Sequence, residues 1–383
     1  MRPPITAAAE VAEVACAIAE AGSFALDLEF VSASRYVPEL CLVQVGWGDP
    51  AAPEVAAIDP LAADPRPLLA LVEDPAVETV LHSAQADLAL LGSRFGVVAR
   101  GVADTQIAAA FLGIGDQIGY AGLVEEMTGV ALDKASQFTD WCRRPLSGDQ
   151  LRYALDDVRY LPGLWSTLAT ELAARGRLAW AADEAARLAA DAAVRPPPEE
   201  IYRRVRGWER LDDAGRAALR ALAAWREREA LDTNTPPQWL LKDGALFEVA
   251  QRRPRGRREL ADVPGVGRAT VHRHGAALLD AVAEPGAPPP RPPGSGRLPS
   301  RVRRWGSELV AVVRRRCEEA AVAPRFVATR SDVDDLLLWW VEEGSAGSAE
   351  PELPLLAGWR RELAGQAALD WLAGRAEATT GDG

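Results

Sequence analysis

The sequence predicts a mixed α/β domain over residues 1–196 followed by two small all-α helical bundles, over 200–285 and 301–375. Three observations point that way. Up to residue 195 short apolar runs alternate with stretches of helical period; beyond residue 200 only the helical period persists; and proline-rich stretches at 195–198 and 285–299 separate the segments. At about 150 residues per domain, 383 residues leave room for two or three cores.

Taken in order, residues 6–21 carry Val11, Val14 and Ile18 at helical spacing. Glu10, Glu13 and Glu20 interrupt this Ala-rich stretch and only Arg2 precedes it, so it reads as an amphipathic helix and not as a secretory signal. The runs 23–30, 40–47 and 79–82 read as strands, and 84–95 and 150–175 as helices. In the second segment, 214–231 and 269–282 are helical, with turn chemistry at Pro264-Gly265-Val266-Gly267. Residues 286–300 form a stiff proline-rich linker, 302–321 and 332–340 are helices of the third segment, and 376–383 is a disordered tail.

Apolar residues make up 48% and charged residues 26%, a globular balance, and no run approaches the roughly 18 apolar residues of a membrane helix. Cys16, Cys41, Cys142 and Cys317 share no short spacing, so neither a zinc cluster nor a disulfide framework is indicated and a reducing cytoplasm is expected. A net charge of −12 argues against a polyanionic partner, but the average conceals a polarity. Residues 1–200 carry −15, residues 201–330 carry +11 and residues 331–383 carry −8. An acidic half that collects divalent metal and a basic half that holds phosphates suit a metal nuclease with a binding arm; charge alone leaves open two unrelated solvated surfaces.

Within 24–30, side chains alternate with period two, which places Asp27 and Glu29 on one strand face and Leu26, Leu28 and Phe30 on the other. Two carboxylates then point the same way, their backbones roughly 6.5–7 Å apart, within reach of paired ions. In His82-Ser-Ala-Gln-Ala-Asp87 a strand ends and a helix carries Asp87 forward as a third carboxylate, or as an acid that complements the helix dipole. Asp104 reads as a strand-end or N-cap residue and not as a ligand. Tyr153 and Asp157 share one helix face one turn apart, whereas Asp156 points elsewhere. Periodicity alone does not single out Asp157 among Asp149, Asp156 and Asp157.

Carboxylates are the hard oxygen ligands of Mg²⁺ or Mn²⁺, and two such ions activate a water and stabilise a departing oxygen at a phosphodiester. A tyrosine hydroxyl is a poor base at neutral pH, so Tyr153 is expected to orient the attacking water.

These pieces together resemble the DEDD exonuclease superfamily, in the subgroup with a tyrosine in its last motif, and most closely the ribonuclease D family. The stretch from Lys134 through Trp141 to Arg144-Pro-Leu is similar to a family segment, and 208–283 resembles the helicase-and-ribonuclease-D C-terminal (HRDC) domain, with a more diverged copy after it. The resemblance implies a ribonuclease-H-like exonuclease fold, a mixed sheet flanked by helices. It also implies Asp27, Glu29, Asp87 and Asp157 as ligands of two divalent cations, Mg²⁺ or Mn²⁺, with Tyr153 completing the catalytic set. The activity implied is 3′→5′ exoribonuclease trimming of tRNA precursors and other structured RNAs, with release of nucleoside 5′-monophosphates.

For holding RNA, Lys134, Arg143 and Arg144 lie near the catalytic motifs, and Arg252, Arg253, Arg255, Arg257 and Arg258 cluster ahead of the glycine turn. A DNA-directed exonuclease and a non-catalytic RNA-binding protein are the alternatives. No G-x-x-x-x-G-K-[ST] phosphate loop occurs, so ATP is not expected, and the protein is expected to be a monomer.

Overall fold

The structure is a computed structural model that describes residues 2–133, 139–290, 300–342 and 350–380, without the side chains of 300–303, 342 and 376–380. Lys134 and most of the proline-rich linker, 291–299, lie outside the described residues.

A five-stranded sheet forms from β1 (Ser23–Val31), β2 (Glu39–Trp47), β3 (Glu54–Ile58), β4 (Glu78–Leu81) and β5 (Val102–Asp104), in the order β3-β2-β1-β4-β5. The sheet is mixed. β1 pairs antiparallel with β2 and parallel with β4. Parallel neighbours need a crossover, supplied by α2 (Arg66–Val72) before β4 and α3 (Gln85–Phe95) before β5. Phe24, Leu26 and Leu28 enter the core beneath α1 (Ala8–Ala21), α2 and α3. On the opposite face, Ala25, Val80 and Ala103 meet Val158 of α6 (Gly148–Arg159) and Leu161 of α7 (Leu161–Ala174). Helices α4 (Thr105–Leu112), α5 (Tyr120–Thr128) and α8 (Leu178–Ala193) complete this domain.

The stretch 150–175, expected as one helix, breaks at Tyr160. Pro162 lacks an N–H and fits only the first turn of a new helix, so α6 ends and α7 begins there.

The next segment is a bundle of α9 (Asp213–Asp232), α10 (Pro237–Leu240), α11 (Asp243–Arg252), α12 (Arg257–Ala261) and α13 (Arg268–Ala283) around Leu219, Leu222, Leu246 and Leu278. It docks on the loop between β1 and β2: the Tyr36 hydroxyl donates to Glu227, and the Val37 N–H donates to Asn234 Oδ1 at 2.9 Å.

The last segment holds α14 (Ser300–Glu319), α15 (Pro324–Val327), α16 (Arg330–Glu342), α17 (Gly358–Arg360), a π-turn at Arg361–Gly365 and α18 (Gln366–Thr380). Helix α18 takes in most of the stretch read as a tail; 381–383 lie outside the described residues. Its core is continuous with that of the sheet domain. Phe111 stacks on Phe326 at 5.1 Å, Trp180 stacks on Trp359 at 5.3 Å, and Arg360 forms a buried ion pair with Glu184.

One expectation is corrected: Cys41 and Cys142, 101 residues apart in sequence, form a disulfide. Cys41 is the extra residue of a β-bulge in β2, unpaired between Leu42, which faces Glu29, and Leu40, which faces Phe30. Sequence spacing carries no information about such a tertiary pairing.

Candidate active site

Strand alternation carries Asp27 and Glu29 to the sheet face covered by α6, opposite the buried Leu26 and Leu28. Helix α6 starts from a capping box: Ser147 Oγ accepts the Gln150 N–H at 3.1 Å, and Gln150 Oε1 accepts the Ser147 N–H at 2.9 Å. Its buried stripe of Leu151, Ala154, Leu155 and Val158 fixes the rotation of the helix, which leaves Tyr153 and Asp157 at the edge of the interface. At Gly46 in β2 the helix backbone approaches the sheet too closely for any side chain.

The result is a meeting of three carboxylates from two elements. One oxygen from each of Asp27, Glu29 and Asp157 lies within 4.8 Å of the others. Asp87, buried in the first turn of α3, stands outside that trio, yet the charges of Asp27 and Asp87 act on each other and that of Asp87 acts on Glu29.

Crowding like charges away from water favours the protonated forms. Burial, and then the charges of Asp27, Asp157 and Asp87, push Glu29 up to about 9. Burial, and then the charges of Asp27 and Asp156, push Asp157 up to about 8, against a hydrogen bond from Tyr153. Burial raises Asp27 to about 6, against a bond from the Leu28 N–H. Asp87 is held well above the usual carboxylate range by burial and by the charges of Asp27 and Asp104. The Tyr153 hydroxyl is raised by burial and by the charges of Asp157, Glu29 and Asp27, so it stays protonated and donates to Asp157.

An all-oxygen donor set whose charges repel one another is what a hard divalent cation relieves, so these residues fit such an ion. Residues that sequence reasoning missed complete the surroundings. Gln44, directly across from Asp27 in the register, is wholly buried with no hydrogen-bond partner for its amide among the described residues, and the Tyr120 hydroxyl donates to the Asp156 carbonyl at 2.8 Å. Strand register would have pointed to Gln44; nothing local points to Tyr120.

The basic residues divide. Arg143 is exposed beside the start of α6. Arg144 is engaged within the protein: it donates to both Asp59 oxygens at 2.6 and 2.8 Å, to the Cys41 carbonyl at 2.6 Å and to the Trp141 carbonyl at 2.7 Å. It clamps the 140–145 loop on which Trp141 packs against Tyr153, ring centroids 6.0 Å apart. Arg252, Arg253 and Arg255 line a recess of about 770 Å³ with Leu279 and Asp280; Arg252 also pairs with Glu248 and Arg253 with Asp212. Arg257 and Arg258 are exposed on α12.

Comparison with known proteins agrees with this geometry. A family model described as 3′-5′ exonuclease matches residues 3–173, and an HRDC domain model matches residues 216–282. A ribonuclease D from Gluconacetobacter diazotrophicus is 41% identical over 362 residues, covering 91% of this chain and 87% of its own. A ribonuclease D from Granulibacter bethesdensis is 40% identical over 357 residues, covering 90% and 86%. The crystal structure of Escherichia coli RNase D, described as an exoribonuclease involved in structured RNA processing, superposes with a TM-score of 0.84 at 30% identity, over 98% of this chain and 99% of that one. A mixed sheet with carboxylates gathered under α6, an HRDC bundle after it, and identity sustained along the chain place this protein in the ribonuclease D family, as a 3′-5′ exoribonuclease acting on RNA.

Proposed function

We propose that the protein hydrolyses the 3′-terminal phosphodiester of tRNA precursors and other structured RNAs and releases nucleoside 5′-monophosphates. The observation that carries this is the approach of Asp27, Glu29 and Asp157 to within 4.8 Å, with Asp87 beside them. Asp27, Glu29, Asp87 and Asp157 would hold two divalent cations, Mg²⁺ or Mn²⁺, which when bound supply Lewis-acid activation of water and of the phosphodiester. The protein's own share is positional. The protonated Tyr153 hydroxyl orients the attacking water, and α6 keeps that hydroxyl and Asp157 on one face.

Arg143 steers the terminal phosphates, and Arg252, Arg253, Arg255, Arg257 and Arg258 hold the body of the RNA through its phosphates. Lys134 joins Arg143 by its place in the sequence. The engagement of Arg144 with Asp59 supports a loop-shaping role for it instead. The protein acts in the cytoplasm, as a monomer and without ATP, in keeping with an RNA substrate and a sequence that lacks a phosphate loop.

The test is digestion of a 3′-extended tRNA and its DNA analogue with Mg²⁺, Mn²⁺ or chelator, with the products identified. Stepwise release of nucleoside 5′-monophosphates from the RNA, abolished by chelator, is expected. Nucleoside 3′-monophosphates, chelator-resistant cleavage or a preference for DNA would contradict it.

A further inference from the structure

Asp104 closes β5 and is 3% exposed. Its Oδ1 accepts the N–H groups of Gln106 at 2.8 Å and Ile107 at 3.3 Å, as an N-cap of α4. The carboxylate does more than a cap requires. Oδ1 also accepts the Ser83 N–H at 3.2 Å, and Oδ2 accepts the Ala84 N–H at 2.8 Å.

Those two amides belong to the turn between β4 and α3, and Asp87 follows three residues after Ala84, in the first turn of α3. The turn needs an outside hold for two reasons. Ser83 sits at φ 59°, a left-handed conformation unfavourable for a residue with a side chain, and Ala84 at the start of α3 has no side-chain oxygen to cap it. Parallel pairing supplies the hold by setting Asp104 against Leu81, at the point where β4 gives way to the turn. Thr105 adds a second grip, its hydroxyl lying 3.1 Å from the Leu81 carbonyl and 2.9 Å from His82 Nδ1. His82 Nε2 in turn meets the Ile118 carbonyl at 3.1 Å.

We infer that Asp104 is a positioning residue for RNA hydrolysis: its buried carboxylate fixes the turn 83–84 and so sets where Asp87 stands relative to Asp27 and Glu29. This rests on Asp87 being a cation ligand. The chemistry of asparagine makes the inference testable, because Asn has the shape of Asp and caps helices well but carries one acceptor oxygen. If that oxygen keeps the three Oδ1 bonds, an amide NH₂ faces the Ala84 N–H, donor against donor. Turned the other way, Asn keeps Ala84 and gives up the cap. Serine caps α4 with its hydroxyl and is too short to serve both partners.

The experiment uses the full chain as wild type, Asp104→Asn, Asp104→Ser and Asp87→Asn. Mn²⁺ binding is followed by the electron paramagnetic resonance of free Mn²⁺, and hydrogen exchange at amides 83–88 by mass spectrometry. Cleavage of a short oligoribonucleotide is measured over a range of Mn²⁺ concentrations. In either Asp104 variant that folds, Mn²⁺ affinity is expected to fall about tenfold, exchange at 83–88 to speed up, and lost activity to recover in part at high Mn²⁺. Wild-type affinity and wild-type exchange in the Asp104 variants would overturn the inference. Asp87→Asn separates the two assignments. If Asp87→Asn cleaves and binds Mn²⁺ as wild type does, the ligand assignment fails; if it is inactive while the Asp104 variants bind Mn²⁺ normally, only the positioning role fails.

Discussion

The carbonyl oxygen of Val158 rests on Gly46: a Cβ at that glycine would stand 2.8 Å from it. Val158 follows Asp157 directly, so the depth to which α6 sinks onto β2 also sets how close the Asp157 carboxylate comes to Asp27 and Glu29. Gly46→Ala is therefore expected to lift α6, at about 1–3 kcal/mol of stability, and to lower kcat on a short oligoribonucleotide. Thermal unfolding and steady-state kinetics check it. Wild-type kcat in a variant of lowered Tm would separate the packing of α6 from the chemistry.

Asp27→Ala and Tyr153→Phe are expected to differ in degree. Removing Asp27 takes a donor from the trio and should cut kcat by about a thousandfold or more with the fold intact. Removing only the Tyr153 hydroxyl should cut it by about a hundredfold and leave Mn²⁺ binding near wild type. Single-turnover rates with circular dichroism controls decide this. Equal losses in rate and in Mn²⁺ binding would make Tyr153 part of the ion site.

The raised carboxyls make metal-free stability depend on pH. Glu29 at about 9 and Asp157 at about 8 keep protons in the folded state that the unfolded chain gives up near pH 4. Their stabilising contribution is complete below that pH and is lost as pH climbs through 8 and 9. Chelated protein should therefore unfold at falling temperature from pH 6 to 9, and Mn²⁺ should restore most at the alkaline end. Asp157→Asn should stabilise the chelated protein at pH 8.5 by at least about 1.4 kcal/mol, the worth of one pKa unit. Melting curves in which Asp157→Asn is no more stable than wild type would refute this.

The arginines of the first helical bundle are expected to act on affinity and not on chemistry. Changing Arg255, Arg257 and Arg258 to Gln should weaken binding of a long structured RNA and leave cleavage of a tetranucleotide unchanged. The salt dependence of log K should flatten by about 0.7 for each single-strand phosphate that the variant no longer neutralises. An unchanged salt slope would assign these arginines to a solvated surface.

Asp27 and Glu29 were legible because strand alternation is a property of the backbone alone. So was the strand-end and N-cap reading of Asp104, which the structure bears out and widens to the turn before α3. What sequence could not supply was tertiary partnership. Arg144 reads as a cation near the catalytic motifs, but its partner Asp59 is 85 residues away. Cys41 meets Cys142 across 101 residues. Strand β3, where Val55, Ala56, Ala57 and Ile58 run on without alternation, and β5, three residues long, announce no period of two. Phe326 and Trp359 lie in the segment expected as a bundle of its own, yet they pack against Phe111 and Trp180 of the sheet domain. The aromatic content was visible; the identity of its partner was not.

Anomalous scattering from crystals soaked in Mn²⁺ bears most directly on the gathering of carboxylates beneath α6. The expected result is a strong peak coordinated by Asp27, Glu29 and Asp157, with Asp87 at the same centre, that vanishes in Asp27→Ala crystals. Manganese found elsewhere on the protein, with these four side chains uncoordinated, would contradict the account.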